Sequence, residues 1–304
     1  MRSYIASLAR PRLYSDRARS GVHKALWETL EDAGDPGTSV LVVPHGLLHA
    51  APLHLPSNTS ATKDGADRLN RPTRYLPSAS LLRTSGAWHR DGAVLAGGFP
   101  GTGPRKLTYY RSECAQVIDR FGGTARFDAE ATADWLESAV NTTGRLSLVH
   151  LACHGRFDEL YPERSGLLLA GPDGPSGFRT NEVVQTERLA AMDWTGALVT
   201  LSACSSGRHQ VGDGGELVGL GRALLSAGAR GLVLSLWPVV DFEAAVLMSL
   251  FYEGLAAEPV GDSDIVAGRL SDAQRRMASW TAADLIGWAC TRMDSPRLPP
   301  TPTG

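Results

Sequence analysis

Two positions in the second half of the chain have the residue types for thiol chemistry. His154 follows the apolar run Leu146-Ser147-Leu148-Val149-His150-Leu151-Ala152-Cys153 and is itself followed by Gly155. Cys204 follows a second run, Ala197-Leu198-Val199-Thr200-Leu201-Ser202-Ala203, and precedes Ser205-Ser206-Gly207. A thiol attacks a carbonyl as thiolate, and a free cysteine has a pKa of about 8.5, so it needs a base or a cationic partner within hydrogen-bond reach. His154 can take that proton and later return it to a leaving amine. Gly155, without a Cβ, lets a substrate come close to the backbone. Its N–H and that of Cys204 are the two donors expected for a developing oxyanion.

Other constellations of reactive residues are weaker. Cys153 alternates to the face opposite His154 and is expected in the core. His150 shares the face of His154 if the strand is regular, and is expected as a packed histidine. Cys114 and Cys290 fit the buried faces of helices. A zinc site from His150, Cys153, His154 and Cys204 needs four converging ligands, yet Cys153 points away. Gly98-Phe99-Pro100-Gly101-Thr102-Gly103 resembles a phosphate loop until Pro104-Arg105, where Lys-Ser/Thr is required. Gly212-Asp213-Gly214-Gly215 lacks dinucleotide-loop spacing and is expected as a flexible wall of the site. There is no Gly-x-Ser-x-Gly elbow for a serine hydrolase. No cofactor and no metal is expected.

Those strand ends must be held by a sheet. Apolar runs at 39–43, 93–96, 146–152, 166–170, 197–203 and 231–236 alternate with helical patterns near 15–33, 107–121, 216–227, 241–256, 271–279 and 281–290. A short helix begins after Thr132, a natural N-cap. Most of the strands are too uniformly apolar to have a wet face. The pattern predicts a largely parallel sheet with helices on both sides, an α/β fold whose chemistry sits at the strands' carboxyl ends. Residues 56–74 are polar and expected as a loop, and the proline-bearing tail 295–304 as a flexible one.

The composition is that of a soluble cytoplasmic protein. The chain has 304 residues, 43% of them hydrophobic, and a formal net charge of -2. That charge offers no overall field for nucleic acid or an anionic membrane. Four cysteines without C-x-x-C spacing argue against a disulfide framework. No apolar stretch approaches the roughly 18 residues of a membrane span.

The motifs together resemble the CHAT family of caspase-like cysteine peptidases, related to separases. The resemblance rests on His154-Gly155 and on Ser202-Ala203-Cys204-Ser205-Ser206-Gly207. It extends to Gly215-Glu216, Leu220-Gly221-Arg222-Ala223-Leu224-Leu225-Ser226-Ala227-Gly228, Ser235-Leu236-Trp237-Pro238-Val239-Val240-Asp241 and Phe251-Tyr252. Upstream, Val42-Val43-Pro44-His45-Gly46-Leu47-Leu48-His49 and Tyr75-Leu76-Pro77-Ser78 resemble the start of such domains. The resemblance implies a caspase-like fold with a smaller non-catalytic subdomain over 1–90 and a catalytic domain over 91–294. It also implies a cysteine endopeptidase with His154 and Cys204 as its dyad. Relatives are activated by a partner or sensor and cleave a dedicated protein, commonly in bacterial defence. A protein substrate and an activating partner are therefore the expected partners.

Peptidases of this clan read the residue before the scissile bond in a deep pocket. An acidic pocket here would select Arg or Lys, with Asp241 the first candidate and Asp213 and Glu216 next. The competing reading makes Asp241 the cap of the helix it begins and places Glu216 in a first helical turn. Two further functions stay open. One is a catalytically silent module acting as a scaffold, and the other is transfer from the thioester in place of hydrolysis.

Overall fold

The computed structural model describes residues 38–44, 48, 72–76, 78–80, 88–156, 164–174, 179–205, 215–235, 239–258 and 263–293, with backbone alone at 179, 204–205, 215–219 and 263. The expected helix at 15–33, most of the loop at 56–74, the segment 206–214 and the tail 295–304 lie outside the described residues.

The two longest apolar runs become the centre of the molecule. β5 (Leu146–Arg156) and β8 (Leu198–Ser205) pair in parallel, from Leu148 opposite Leu198 to Gly155 opposite Ser205. β3 (Ala93–Gly98) pairs with the other edge of β5, and β4 (Thr124–Phe127) with the far edge of β3, both in parallel. β9 (Gly231–Leu234) pairs in parallel with β8. β3 stops opposite Ala152, and β6 (Gly166–Asp173) takes over that edge of β5 in the antiparallel sense, opposite residues 154–156. β7 (Arg179–Gln185) closes that side, antiparallel to β6. β5 is therefore longer than its apolar run. It continues through His154 and Gly155 because both of its edges stay paired there.

Alternation along β5 and β8 divides the core. Val149, Leu151, Cys153, Val199, Leu201 and Ala203 face one layer, with Leu136 and Val140 of α2 (Ala133–Thr142), Leu189 of α3 (Thr186–Ala190) and Leu220 and Leu224 of α4 (Gly215–Ser226). Leu148 and Leu198 face the other, with Val117 of α1 (Tyr110–Phe121) and Ala245, Val246, Phe251 and Tyr252 of α5 (Asp241–Ala256). α5 is apolar on nearly all sides because α6 (Ser263–Ala278) covers its outer face. α7 (Ala282–Arg292) follows a capping box of Thr281 and Asp284. Thr132 caps α2 as expected, accepting from the N–H of Trp135. Among the described residues seven helices flank a mostly parallel sheet, which is the α/β architecture the sequence predicts. None of these helices is long and apolar enough to cross a membrane.

Several elements differ from expectation. β4 and β7 are polar strands at sheet ends, where among the described residues one edge has no strand partner and no apolar run is needed. α6 begins earlier than 271. Residues 73 and 74, expected at the end of a loop, belong to β2 (Thr73–Tyr75), parallel to β1 (Val40–Val42). The pair rests on α6, where Arg74 Nε lies 2.7 Å from Asp264 Oδ1. Cys290 is exposed on α7 and not in the core. Cys114 and Cys153 are fully buried, as expected.

The connections locate the working end. From β3 the chain passes through α1 outward to β4, whereas from β5 it passes through β6, β7 and α3 before reaching β8 on the opposite edge. Strands that lead off in opposite directions leave a crevice beyond their carboxyl ends. The loop after β3 lies against the end of β5 at His154.

Candidate active site

His154 and Cys204 are Cα partners across β5 and β8, and the register between these strands is unbroken from Leu148 to Gly155. Residues at paired positions leave a sheet on the same face. The fold thus brings two candidate residues 50 positions apart in the sequence side by side. On its other edge His154 pairs with Leu168 of β6. Its ring is part-exposed, while its Nδ1 is buried and has no hydrogen-bond partner among the described residues.

The loop after β3 lies against this ring. Gly101 adopts φ 78°, the left-handed region that favours glycine. A Cβ there would stand 2.6 Å from Cδ2 and 3.1 Å from Nε2 of His154. The bare backbone of Gly101 therefore covers one edge of the imidazole. The loop is fixed at several points. Phe99 N–H donates to Ala152 O at 3.0 Å, Leu107 N–H to Pro100 O at 3.0 Å, and Thr102 N–H to Asn181 Oδ1 of β7 at 3.0 Å. At its far end the N–H groups of Thr108 and Tyr109 donate to Asp241 Oδ2, at 2.6 and 3.2 Å.

Asp241 is thus the first residue of α5, and its carboxylate binds the backbone entering α1. The expected cap of its own helix is not what it makes, since the N-cap of α5 is Val240 with no side-chain bond. A carboxylate at a helix N-terminus is favoured by the unpaired N–H groups and by the helix dipole. Asp213 lies outside the described residues, and Glu216 is described only as backbone in α4. Gly155 is buried and paired on both edges, with Leu167 and with Ser205, so its N–H points within the sheet toward one of those strands.

Beneath the site, on the face shared by His150, Ala152 and His154, is a buried polar cluster. His150 is completely buried, and its Nδ1 lies 2.8 Å from the Tyr252 hydroxyl of α5. Its Nε2 is 3.2 Å from Oε1 of the buried Glu113 of α1, at ion-pair distance but outside hydrogen-bond geometry. Burial pushes the Tyr252 hydroxyl well above its ordinary pKa, helped by Glu113 and Cys114 and opposed by the Thr200 hydroxyl. Burial likewise raises the Cys114 thiol, with Glu113 adding to it.

Sequence reasoning missed Gly101, Asn181 and Glu113. Gly101 carried a signal, the glycine-rich stretch after β3, which matched no phosphate loop. The polar residues of an edge strand and of a helix's inner face gave none.

The mostly parallel sheet flanked by helices is consistent with a caspase-like fold. A family model for the CHAT domain matches residues 17–294, so the chain belongs to the CHAT-domain family. A search of curated proteins found no match.

Proposed function

We propose that the chain is a cysteine endopeptidase in which Cys204 is the nucleophile and His154 the general base and acid. The observation that supports this most directly is the paired register of the two residues on adjacent parallel strands. In the first step His154 takes the thiol proton, the thiolate adds to the scissile carbonyl, and the oxyanion is held by backbone N–H groups. The proton then passes to the leaving amine, and water hydrolyses the thioester. The N–H groups of Gly155 and Cys204 are the proposed donors. For Gly155 this requires the sheet to open at its last paired residues.

By family resemblance, the substrate is one dedicated protein, the trigger is a partner or sensor, and the setting is bacterial defence. A preference for Arg or Lys before the scissile bond belongs to the proposal. Asp241, Asp213 and Glu216 are the proposed carriers of that charge, and Asp241 also accepts from the backbone before α1. The silent-scaffold alternative draws on one observation, the pairing of Gly155 on both edges.

One experiment decides between them. A peptide library is incubated with wild type, Cys204→Ala, His154→Ala and the double variant, and products are identified by mass. Both single variants should lose cleavage, with the double variant no worse, because the pair acts as a unit. Cleavage by Cys204→Ala at the wild-type rate, or no cleavage by wild type with its activator present, sinks the peptidase reading. A product joined to an amine in place of water would assign transfer.

A further inference from the structure

We infer that Gly101 is a positioning residue, whose bare backbone holds the His154 imidazole in its orientation within the crevice. The inference rests on the dyad reading for its meaning and on the contact geometry for its content. Gly101 is buried, and any side chain there would begin 2.6 Å from the His154 ring, a separation real Cβ atoms do not show. The ring is restrained on two counts. Its Nδ1 side is already buried, and its Cα is fixed by strands on both edges. The loop cannot yield freely either. It is bonded to Ala152 of β5, to Asn181 of β7 and, through Thr108 and Tyr109, to Asp241 of α5. A general base is effective only when its ring nitrogen is aimed at the proton it removes. The loop supplies that aim by contact with the ring edge, without contributing a polar group of its own.

The same loop contains its own control. Gly103 also has a left-handed backbone, φ 91°, but a Cβ there meets nothing within 4 Å. Gly101→Ala and Gly103→Ala therefore impose similar backbone strain, and only the first presses on His154. The full chain is compared as wild type, Gly101→Ala, Gly103→Ala, His154→Ala and Gly101→Ala/His154→Ala. Urea unfolding is measured for each, with the rate of Cys204 alkylation by iodoacetamide against pH. Alkylation is read by mass spectrometry at Cys204, because Cys290 is exposed and will also react.

Gly101→Ala should destabilise more than Gly103→Ala, and the excess should vanish when His154 is alanine. The Cys204 alkylation profile of Gly103→Ala should follow wild type. That of Gly101→Ala should fall by roughly tenfold or more near neutral pH, toward His154→Ala, as expected when a base worth roughly 10²–10⁴-fold is misaimed. If Gly101→Ala does not fold but the double variant does, the clash with the ring is established by that rescue. Equal effects of the two glycine substitutions, or no rescue in the His154→Ala background, would overturn the inference. Alkylation that ignores His154→Ala would overturn the dyad reading alone, since the unfolding cycle would still report the contact.

Discussion

Asp241 ties the start of α5 to the backbone that enters α1. The sequence offers it as the charge in a basic-residue pocket or as a helix cap. In the fold its Oδ2 takes two backbone N–H groups from the segment that leads from the His154 loop into α1. Hydrogen bonds to a charged group contribute about 1.5–3 kcal/mol when well formed, and this pair is part-exposed, so Asp241→Ala should cost about 1–2 kcal/mol. It should lower kcat/KM on a matched pair of Arg and Ala peptides by the same factor. Kinetics on both peptides check this, and a loss confined to the Arg peptide would return Asp241 to the pocket. Asp241→Asn retains one acceptor oxygen and should fall between wild type and alanine.

At the scale of elements, β5 is bound to its helices by polarity as well as by apolar packing. His150 connects β5 to α1 through Glu113 and to α5 through Tyr252. Removing one member of a buried pair leaves the other without compensation. His150→Leu should therefore cost about 3 kcal/mol or more. Tyr252→Phe, which deprives Nδ1 of one partner, should cost about 1–2 kcal/mol. Urea midpoints of the two variants test that order, and equal losses would mean Glu113 is not held by the imidazole.

What the sequence made legible follows from these forces. β5 and β8 are readable because they are buried on both faces, so Leu148, Val149, Leu151, Val199 and Leu201 form mostly apolar runs. Thr132 is readable because capping is local. β4 and β7 are not, since Thr124–Phe127 and Arg179–Gln185 carry the mixed composition of sheet ends. Cys290 was misassigned because, among the described residues, α7 buries only Ala289, and helical spacing does not say how much of a helix is covered. The pairing of position 154 with 204 follows from strand register, whereas the contact of Gly101 with His154 depends on a loop path that no local pattern encodes.

Across the whole molecule, two buried acids set the response to alkali. Cys114 and Tyr252 both hold their protons more tightly folded than unfolded, because burial disfavours the anion. The unfolded chain ionises them from about pH 8.5 and about pH 10. Above those values it binds fewer protons than the folded chain, so stability falls as pH rises. Urea unfolding between pH 8 and pH 10.5 should show that decline. Cys114→Ala should flatten its lower part and Tyr252→Phe its upper part, whatever each does to stability at neutral pH. Slopes that match wild type would show that these groups ionise alike in both states.

The takeover of one β5 edge by β6, after β3 has ended, bears on how the protein is made. Synthesis runs from the N-terminus, so β3 and β5 emerge first and β6 and β7 soon after. His154 then has strand partners on one side only until β8 appears. Its covering loop lacks a far anchor until Asp241 follows. Cys204 thus emerges before the fold around His154 is closed, and positions 154 and 204 meet in final register only when most of the chain has been released.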